Sequence, residues 1–282
     1  MQLSFLDALS VPGNPAKPND DAWAQTARAA VVLDGATNLG ESLLPGDSDA
    51  AWIARFAARR LMAHIDDDAE AADALRAALE DAEKSFAGLR RRIPKENWEN
   101  PYASMMFVVA QPTGVDALWF GDCGALVKRP DGAVEIVGEA FAKRTAEARR
   151  VKMLAEAKGL APASGTNRPE FLTALRAARN TVNSDKGGWL FGPDANAADH
   201  VPSTNLAATS GTIVLLASDG FLALVSDYER YDAAGLMAAA ETKGLAALGE
   251  ELRAIEEGDP EGRRFPRFKK SDDATALLLK LA

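Results

Sequence analysis

Aspartates stand at the ends of the apolar runs in this 282-residue chain. Val31-Val32-Leu33 stops at Asp34-Gly35, and Leu215-Leu216-Ala217 stops at Ser218-Asp219-Gly220. Asp272-Asp273-Ala274-Thr275 opens the last apolar run, Phe120-Gly121-Asp122 closes another, and Asn19-Asp20-Asp21-Ala22 lies near the amino terminus. A strand end is a rigid mount, and carboxylates on neighbouring ends converge over a sheet edge. Converging carboxylates repel unless a cation neutralises them, which points to a divalent metal. All-oxygen ligands favour Mg²⁺ or Mn²⁺ over zinc. The glycines after Asp34 and Asp219 permit tight turns and bare a backbone carbonyl as a further ligand. Asp-Gly is also the commonest turn dipeptide, so a single instance is a plain turn; Asp131-Gly132 is assigned no chemistry. Ser271-Asp272-Asp273 by itself reads equally as a solvated strand entry beside Lys269 and Lys270. It is the joint order of the motifs that carries weight.

Composition narrows the chemistry further. With 41 acidic against 32 basic residues the formal net charge is −9, which argues against nucleic acid as the partner, since backbone phosphates need a clustered basic face. One cysteine, Cys123, excludes an intrachain disulfide and a multi-cysteine zinc site; two histidines, His64 and His200, exclude a histidine-rich metal centre. No apolar run approaches the roughly 20 residues of a membrane helix. Met1–Asp7 lacks the basic start and apolar stretch of a secretory signal. The expectation is a cytoplasmic protein without a membrane partner. Phosphate-loop and serine-hydrolase motifs are absent.

The elements that must position the aspartates follow from periodicity. Residues 28–33 read as a strand ending in a turn, and Asp47-Ser48-Asp49 caps a helix with Trp52, Ile53 and Phe56 on one face. Leu75, Leu79, Ala82, Phe86, Leu89 and Ile93 step by four and three, the stripe of a long helix packed on a sheet. From Tyr102 to Gly138, four short apolar or alternating runs predict an antiparallel meander, with a hairpin at Pro130-Asp131-Gly132. Residues 140–180 read as mostly helical around a loop at Ala161–Pro169. Residues 211–217 form an apolar strand, 231–257 a helical stretch, and Ala274–Leu281 a last strand. No linker or repeat divides the chain, so residues 1–282 read as one domain, an α+β fold of antiparallel sheet with helices outside.

The five motifs in this order resemble the metal-dependent serine/threonine phosphatases of the protein phosphatase 2C type. That resemblance spans the whole chain and implies a four-layer sandwich, two antiparallel sheets flanked by helices, with a two-metal Mg²⁺/Mn²⁺ centre at one end. By position, Asp34 matches the carboxylate bridging both metals and Gly35 offers its carbonyl to one of them. Asp219 and Asp272 match ligands of the other metal. Asp21 and Asp122 match a third, looser metal position, and Asp20 stands for the family's glutamate near the centre. A water shared between the metals would attack phosphorus in line, without a protein nucleophile. The chain departs from the pattern at three places. The family's phosphate-holding arginine is Ala16, with Lys17 adjacent as a possible phosphate contact; a histidine found in many eukaryotic members is Ala36; the glycine usually following is Thr37.

Other residues keep two readings. Arg176 and Arg179 belong to a solvated helix face or hold the substrate phosphate; His200 is a loop histidine or an acid near the leaving group. The basic run Arg263, Arg264, Arg267, Lys269 and Lys270 is an exposed loop or a balance for the acidic site. Cys123 reads as a small packed residue and His64 as a helix end. The resemblance implies a phosphatase acting on phosphoserine or phosphothreonine in proteins, and the expectation is a monomer. The alternatives are a catalytically weak relative that binds a phosphorylated partner, and a small-molecule phosphomonoesterase.

Overall fold

The computed structural model describes residues 1–46, 48–65, 69–141, 149, 153, 157, 159, 161, 163 and 169–282. Its apolar runs are strands covered on both faces. In β3 (Ala29–Gly35) and β4 (Ala103–Gln111), Val31, Leu33, Met105 and Phe107 face one core, while Val32, Met106 and Val108 face another. That is the period-two alternation of a strand with both sides buried, which leaves no polar face to alternate against. β9 (Ile213–Ala217) and β10 (Ala274–Leu281) behave alike: Leu215, Ala217 and Leu278 turn one way, Leu216, Leu277 and Leu279 the other.

β2 (Asp21–Gln25), β3, β4, β5 (Gly114–Phe120) and β8 (Ser203–Ala207) form one five-stranded sheet in that order. The other runs β1 (Leu3–Val11), β10, β9, β6 (Gly124–Lys128), β7 (Val134–Val137). Every neighbouring pair is antiparallel. The sheets share the core of Val32, Met106, Leu216 and Leu279. Helices α1 (Asp49–His64) and α2 (Ala71–Leu89) cover the first sheet through Ile53, Leu61, Leu75 and Leu79. Helices α4 (Asp219–Ser226), α5 (Ala233–Lys243) and α6 (Leu245–Gly258) cover the second through Phe221, Leu236 and Leu252, while α3 (Pro169–Arg179) lies between β7 and β8 in the chain. The α+β four-layer sandwich is thus the observed architecture.

Four local expectations are corrected. The meander from Tyr102 breaks: β4 and β5 belong to one sheet, β6 and β7 to the other, and the chain crosses between sheets at Gly121-Asp122-Cys123. Gly121 makes the crossing with φ of 69°, a backbone conformation that glycine adopts without penalty. The helical stripe ends at Phe86, not Ile93. Arg90 is extended, Arg91 N–H bonds the Leu43 carbonyl, and Leu89 and Ile93 are exposed. The stretch 231–257 is two helices, divided at Gly244 with φ of 82°. Three strands, β1, β2 and β8, arise where no element was expected. Most of the helical reading over 140–168 lies outside the described residues. Ser48 does cap α1, accepting from Ala51 N–H, and buried Asp49 receives the Leu43 and Leu44 amides.

Candidate metal centre

The layering brings like ends of the two sheets together. β3 delivers Asp34 and Gly35; β2 sets Asp21 opposite Asp34 in register; β4 sets Ser104 on its other side. Asp122 occupies the crossing after β5. From the second sheet, β9 runs directly into Asp219 at the start of α4, and Asp272 precedes β10. A carboxylate oxygen from each of Asp34, Asp122 and Asp219 lies within 4.8 Å of the other two. Asp272 lines the same cavity, of about 550 Å³, beside Lys269 and Arg179.

Close packing of backbone makes this convergence possible. A Cβ on Gly35 would sit 2.4 Å from the Ala50 carbonyl oxygen and 2.7 Å from that of Asp20, so β3 passes α1 with no space for a side chain. A Cβ on Gly220 would lie 2.0 Å from the Asp273 carbonyl oxygen, so the turn after Asp219 rests on the Asp272-Asp273 backbone. The glycine following each aspartate therefore serves close approach as well as turning.

Hydroxyls and amides hold the carboxylates in place. Ser104 Oγ donates to Asp122 Oδ1 at 2.5 Å, and Ser218 Oγ to Asp21 Oδ2 at 2.8 Å. Asp273 accepts from the amides of Gly13 and Asp20, both at 2.7 Å, tying the amino-terminal loop to the strand entry. Asp20 itself accepts from Ser48 Oγ at 2.5 Å. Lys269 Nζ donates to Asp272 Oδ1 at 2.6 Å.

These contacts do not neutralise the cluster. Burial, followed by the charges of Asp21, Asp219, Asp272 and Asp122, pushes the Asp34 carboxyl well above the usual carboxylate range. Burial and then the charges of Asp273 and Asp272 likewise raise Asp21 against the Ser218 hydrogen bond. Asp20 is raised mainly by burial, with Ser48 opposing. Burial alone would lower Lys269, but Asp272, Asp34 and Asp273 raise it above the usual lysine range. Asp21 Oδ1 is buried and accepts no hydrogen bond. An all-oxygen donor set, mutually repelling and with a buried acceptor unsatisfied, fits a hard divalent cation.

The remaining candidates separate cleanly. Asp122, matched by the resemblance to a third, looser metal position, has a carboxylate oxygen within 4.8 Å of those of Asp34 and Asp219. Asp20 and Lys17 line a second cavity, of about 500 Å³, and Lys17 is exposed there. Arg176 lines that cavity too, donating to the Leu39 carbonyl and lying 4.2 Å over the Trp98 ring. Arg179 lines the first cavity, with Nη1 bonded to the Thr37 carbonyl at 2.6 Å. Its burial brings the guanidinium down to about 10, against the pull of Tyr102 and Asp34. His200 is exposed and stacks flat on Trp189 at 3.6 Å; His64 ends α1 and pairs with Asp81 at 2.6 Å. Neither lines the cavity. Cys123 is fully buried, its thiol pushed up by burial and then by Asp34 and Asp122. The basic run divides: Arg267 and Lys269 both line the cavity, Arg267 buried against Asp259 and the Lys270 carbonyl and Lys269 paired with Asp272.

Ser104 and Asp273 were not singled out from the sequence. Ser104 is the lone polar residue in an otherwise apolar stretch of β4, the one signal that could have marked it. For Asp273 the signal was its doubling with Asp272.

A family model described as protein phosphatase 2C matches residues 15–253. No curated protein sequence matches the chain. Among solved structures, the Mycobacterium tuberculosis serine/threonine phosphatase PstP/Ppp is similar over 100% of this chain and 99% of its own, with 17% identity and a TM-score of 0.60. A PstP catalytic domain in complex with 2 manganese ions matches over 99% and 98%, with 17% identity and a TM-score of 0.55. PppA, a regulatory component of T6SS in Pseudomonas aeruginosa, matches over 99% and 98%, with 18% identity and a TM-score of 0.57. At such identities the structural likeness speaks for the fold, and the family match speaks for membership. The chain belongs to the protein phosphatase 2C family and is by that membership a metal-dependent phosphoprotein phosphatase, a hydrolase whose cofactor is Mg²⁺ or Mn²⁺.

Proposed function

We propose that the chain, as one domain, hydrolyses phosphoserine and phosphothreonine in proteins at the cavity bearing Asp34, Asp122, Asp219 and Asp272. The observation that carries this reading is the meeting of three carboxylates from three separate chain segments within 4.8 Å. Asp34 is assigned the bridging position with the Gly35 carbonyl beside it, and Asp219 and Asp272 the second metal. Asp21 and Asp122 are assigned to a third position, and Asp20 to the support of the centre through Ser48. When bound, the metals neutralise the phosphate and lower the pKa of a water for in-line attack on phosphorus.

The chain's own groups do the rest. Ser104 and Ser218 fix the orientation of Asp122 and Asp21, so the ligand oxygens need little rearrangement on loading. Arg179 brings a guanidinium into the cavity from α3, where the family's arginine position holds Ala16. Its Nη1 bond to Thr37 anchors it and leaves a planar fork suited to a phosphate. Trp189, Leu190 and Phe268 supply apolar wall for the peptide around the phosphorylated residue. No histidine lines the cavity among the described residues, and solvent in this open cavity supplies the leaving-group proton. The acidic balance of −9 supports a protein rather than a nucleic-acid substrate. A monomer in the cytoplasm is part of the same reading. No helix of the described residues is long and apolar enough to cross a membrane.

Hydrolysis of p-nitrophenyl phosphate and a phosphothreonine peptide, each with Mn²⁺, Mg²⁺ or EDTA, tests the proposal beside the Asp219→Asn protein. Metal-dependent turnover that the variant loses, with preference for the peptide, is the expected result. Turnover that survives EDTA, or an Asp219→Asn protein as fast as wild type, would overturn the assignment.

A further inference from the structure

Asp272 is set apart from the other carboxylates of the cavity. Asp34, Asp122 and Asp219 form a tight group, whereas Asp272 carries a cation of its own, Lys269 Nζ at 2.6 Å from Oδ1. The same oxygen accepts the Asp273 amide at 3.0 Å. Both partners of the pair are about two-thirds covered, 31% and 29% exposed, so the attraction is screened less than on an open surface.

Lys269 does not reach this position on a loose tether. On one side of it, the buried Arg267 donates to the Lys270 carbonyl at 2.9 Å, to the Phe265 carbonyl at 2.9 Å and to Asp259 at 3.1 Å. Phe268 packs edge-on against the buried Phe171 of α3, 5.7 Å between ring centres. The backbone delivering the ammonium is thus clamped at its neighbours, and the lysine is presented to Asp272 before any ligand arrives.

An ammonium and a divalent ion cannot share one carboxylate oxygen without strong mutual repulsion. We infer that Lys269 is the resident counter-ion of Asp272 and makes the centre unequal: the ion at Asp34 and Gly35 loads first, and the ion assigned to Asp219 and Asp272 binds more weakly because the ammonium on Asp272 Oδ1 opposes it. This rests on the metal-centre reading above. Loading of the second ion then becomes a graded step, set by one side chain that ligates nothing.

Titration of the metal-stripped full chain with Mn²⁺, followed by calorimetry and by the electron paramagnetic resonance signal of free Mn²⁺, tests this. Wild type is expected to show one tight class and a second weaker by about 100-fold. Lys269→Met should strengthen the weak class at least about 10-fold while the tight class holds within about 3-fold, and Lys269→Arg should keep the wild-type pattern. Two equal classes in wild type would overturn the inference whether or not either variant folds. So would a Lys269→Met isotherm superimposable on wild type, including the case where that variant only raises KM, as a phosphate contact would. No Mn²⁺ uptake by wild type defeats the metal-centre reading and this inference with it; uptake with unchanged isotherms defeats the inference alone.

Discussion

Two cavities meet at the segment Thr37–Leu39, and they differ in what their charges have been left to do. In the second cavity, among the described residues, Asp20 accepts from Ser48, Arg176 holds the Leu39 carbonyl and the Trp98 ring, and Lys17 is open to water. In the first, Asp34 is crowded by four other aspartates, and the orphaned oxygen of Asp21 stands beside it in register. The same residue types thus make a satisfied surface in one place and an unsatisfied centre in the other. Uncompensated charge, rather than charge as such, marks the chemistry.

The strongest way to break this comparison is to exchange one carboxylate from each cavity. Asp34→Asn should lower kcat/KM for a phosphothreonine peptide by at least about 10³-fold, whereas Asp20→Asn should cost less than about 10-fold. Equal losses would show that both cavities serve the reaction. Next in size, Arg179→Ala should raise KM by about 10- to 100-fold, the worth of a charge-assisted phosphate contact, while Arg176→Ala and Lys17→Ala leave it within about 3-fold. Steady-state kinetics on the three proteins decides it.

A smaller effect sharpens the contrast through stability. Mn²⁺ at about 100 times its dissociation constant should stabilise wild type and Asp20→Asn by about 2.7 kcal/mol. Asp34→Asn should lose most of that gain, yet be at least as stable as wild type without metal, because a repelling carboxylate is gone. Thermal melts with and without Mn²⁺ measure both. The smallest effect lies behind the second cavity, where Glu99 closes the 3₁₀ turn Asn97–Glu99, whose Trp98 ring packs under Arg176. Hydrogen bonds from Arg92 hold the Glu99 carboxyl down at about 2. A lowered carboxyl stabilises the fold above its unfolded value, about 4.3, and loses that contribution as pH falls toward 2. Glu99→Gln should therefore cost about 0.5 kcal/mol at pH 7, the range of an ion pair with one exposed partner, and almost nothing near pH 2 in urea melts.

What could be read from the sequence follows burial. β3, β4, β5, β6, β9 and β10 have neighbours on both sides, and their apolar runs gave them away. The unforeseen strands β1, β2 and β8 are all sheet edges. In β1, Phe5 and Leu6 are exposed and Asp7 turns to the Leu245 amide; in β8 only Leu206 is buried. An edge strand has no continuous apolar signature to read. The fourth edge, β7, was found through its Pro130-Asp131-Gly132 turn instead. Asp34, Asp122, Asp219 and Asp272 were legible because each stands where an apolar run stops. Lys269 was hidden in a basic run whose other members face solvent or brace the loop, and only the clamp of Arg267 and Phe268 distinguishes it.

The pairing of β1 with β10, which sets Leu3 against Leu281, has a consequence for the order in which the centre is assembled. Asp34 and Asp122 are brought close by the successive pairings of β3, β4 and β5, whereas Asp219 and Asp272 reach them only when β9, β10 and β1 have closed the second sheet. Contacts so far apart along the chain form slowly, because the closure entropy must be met before they contribute. The two halves of the carboxylate cluster are therefore products of early and late folding. The mutual repulsion arises in the final step, at the moment when a divalent ion would relieve it most, so Mg²⁺ or Mn²⁺ in the refolding buffer should hasten the last phase of folding rather than the first.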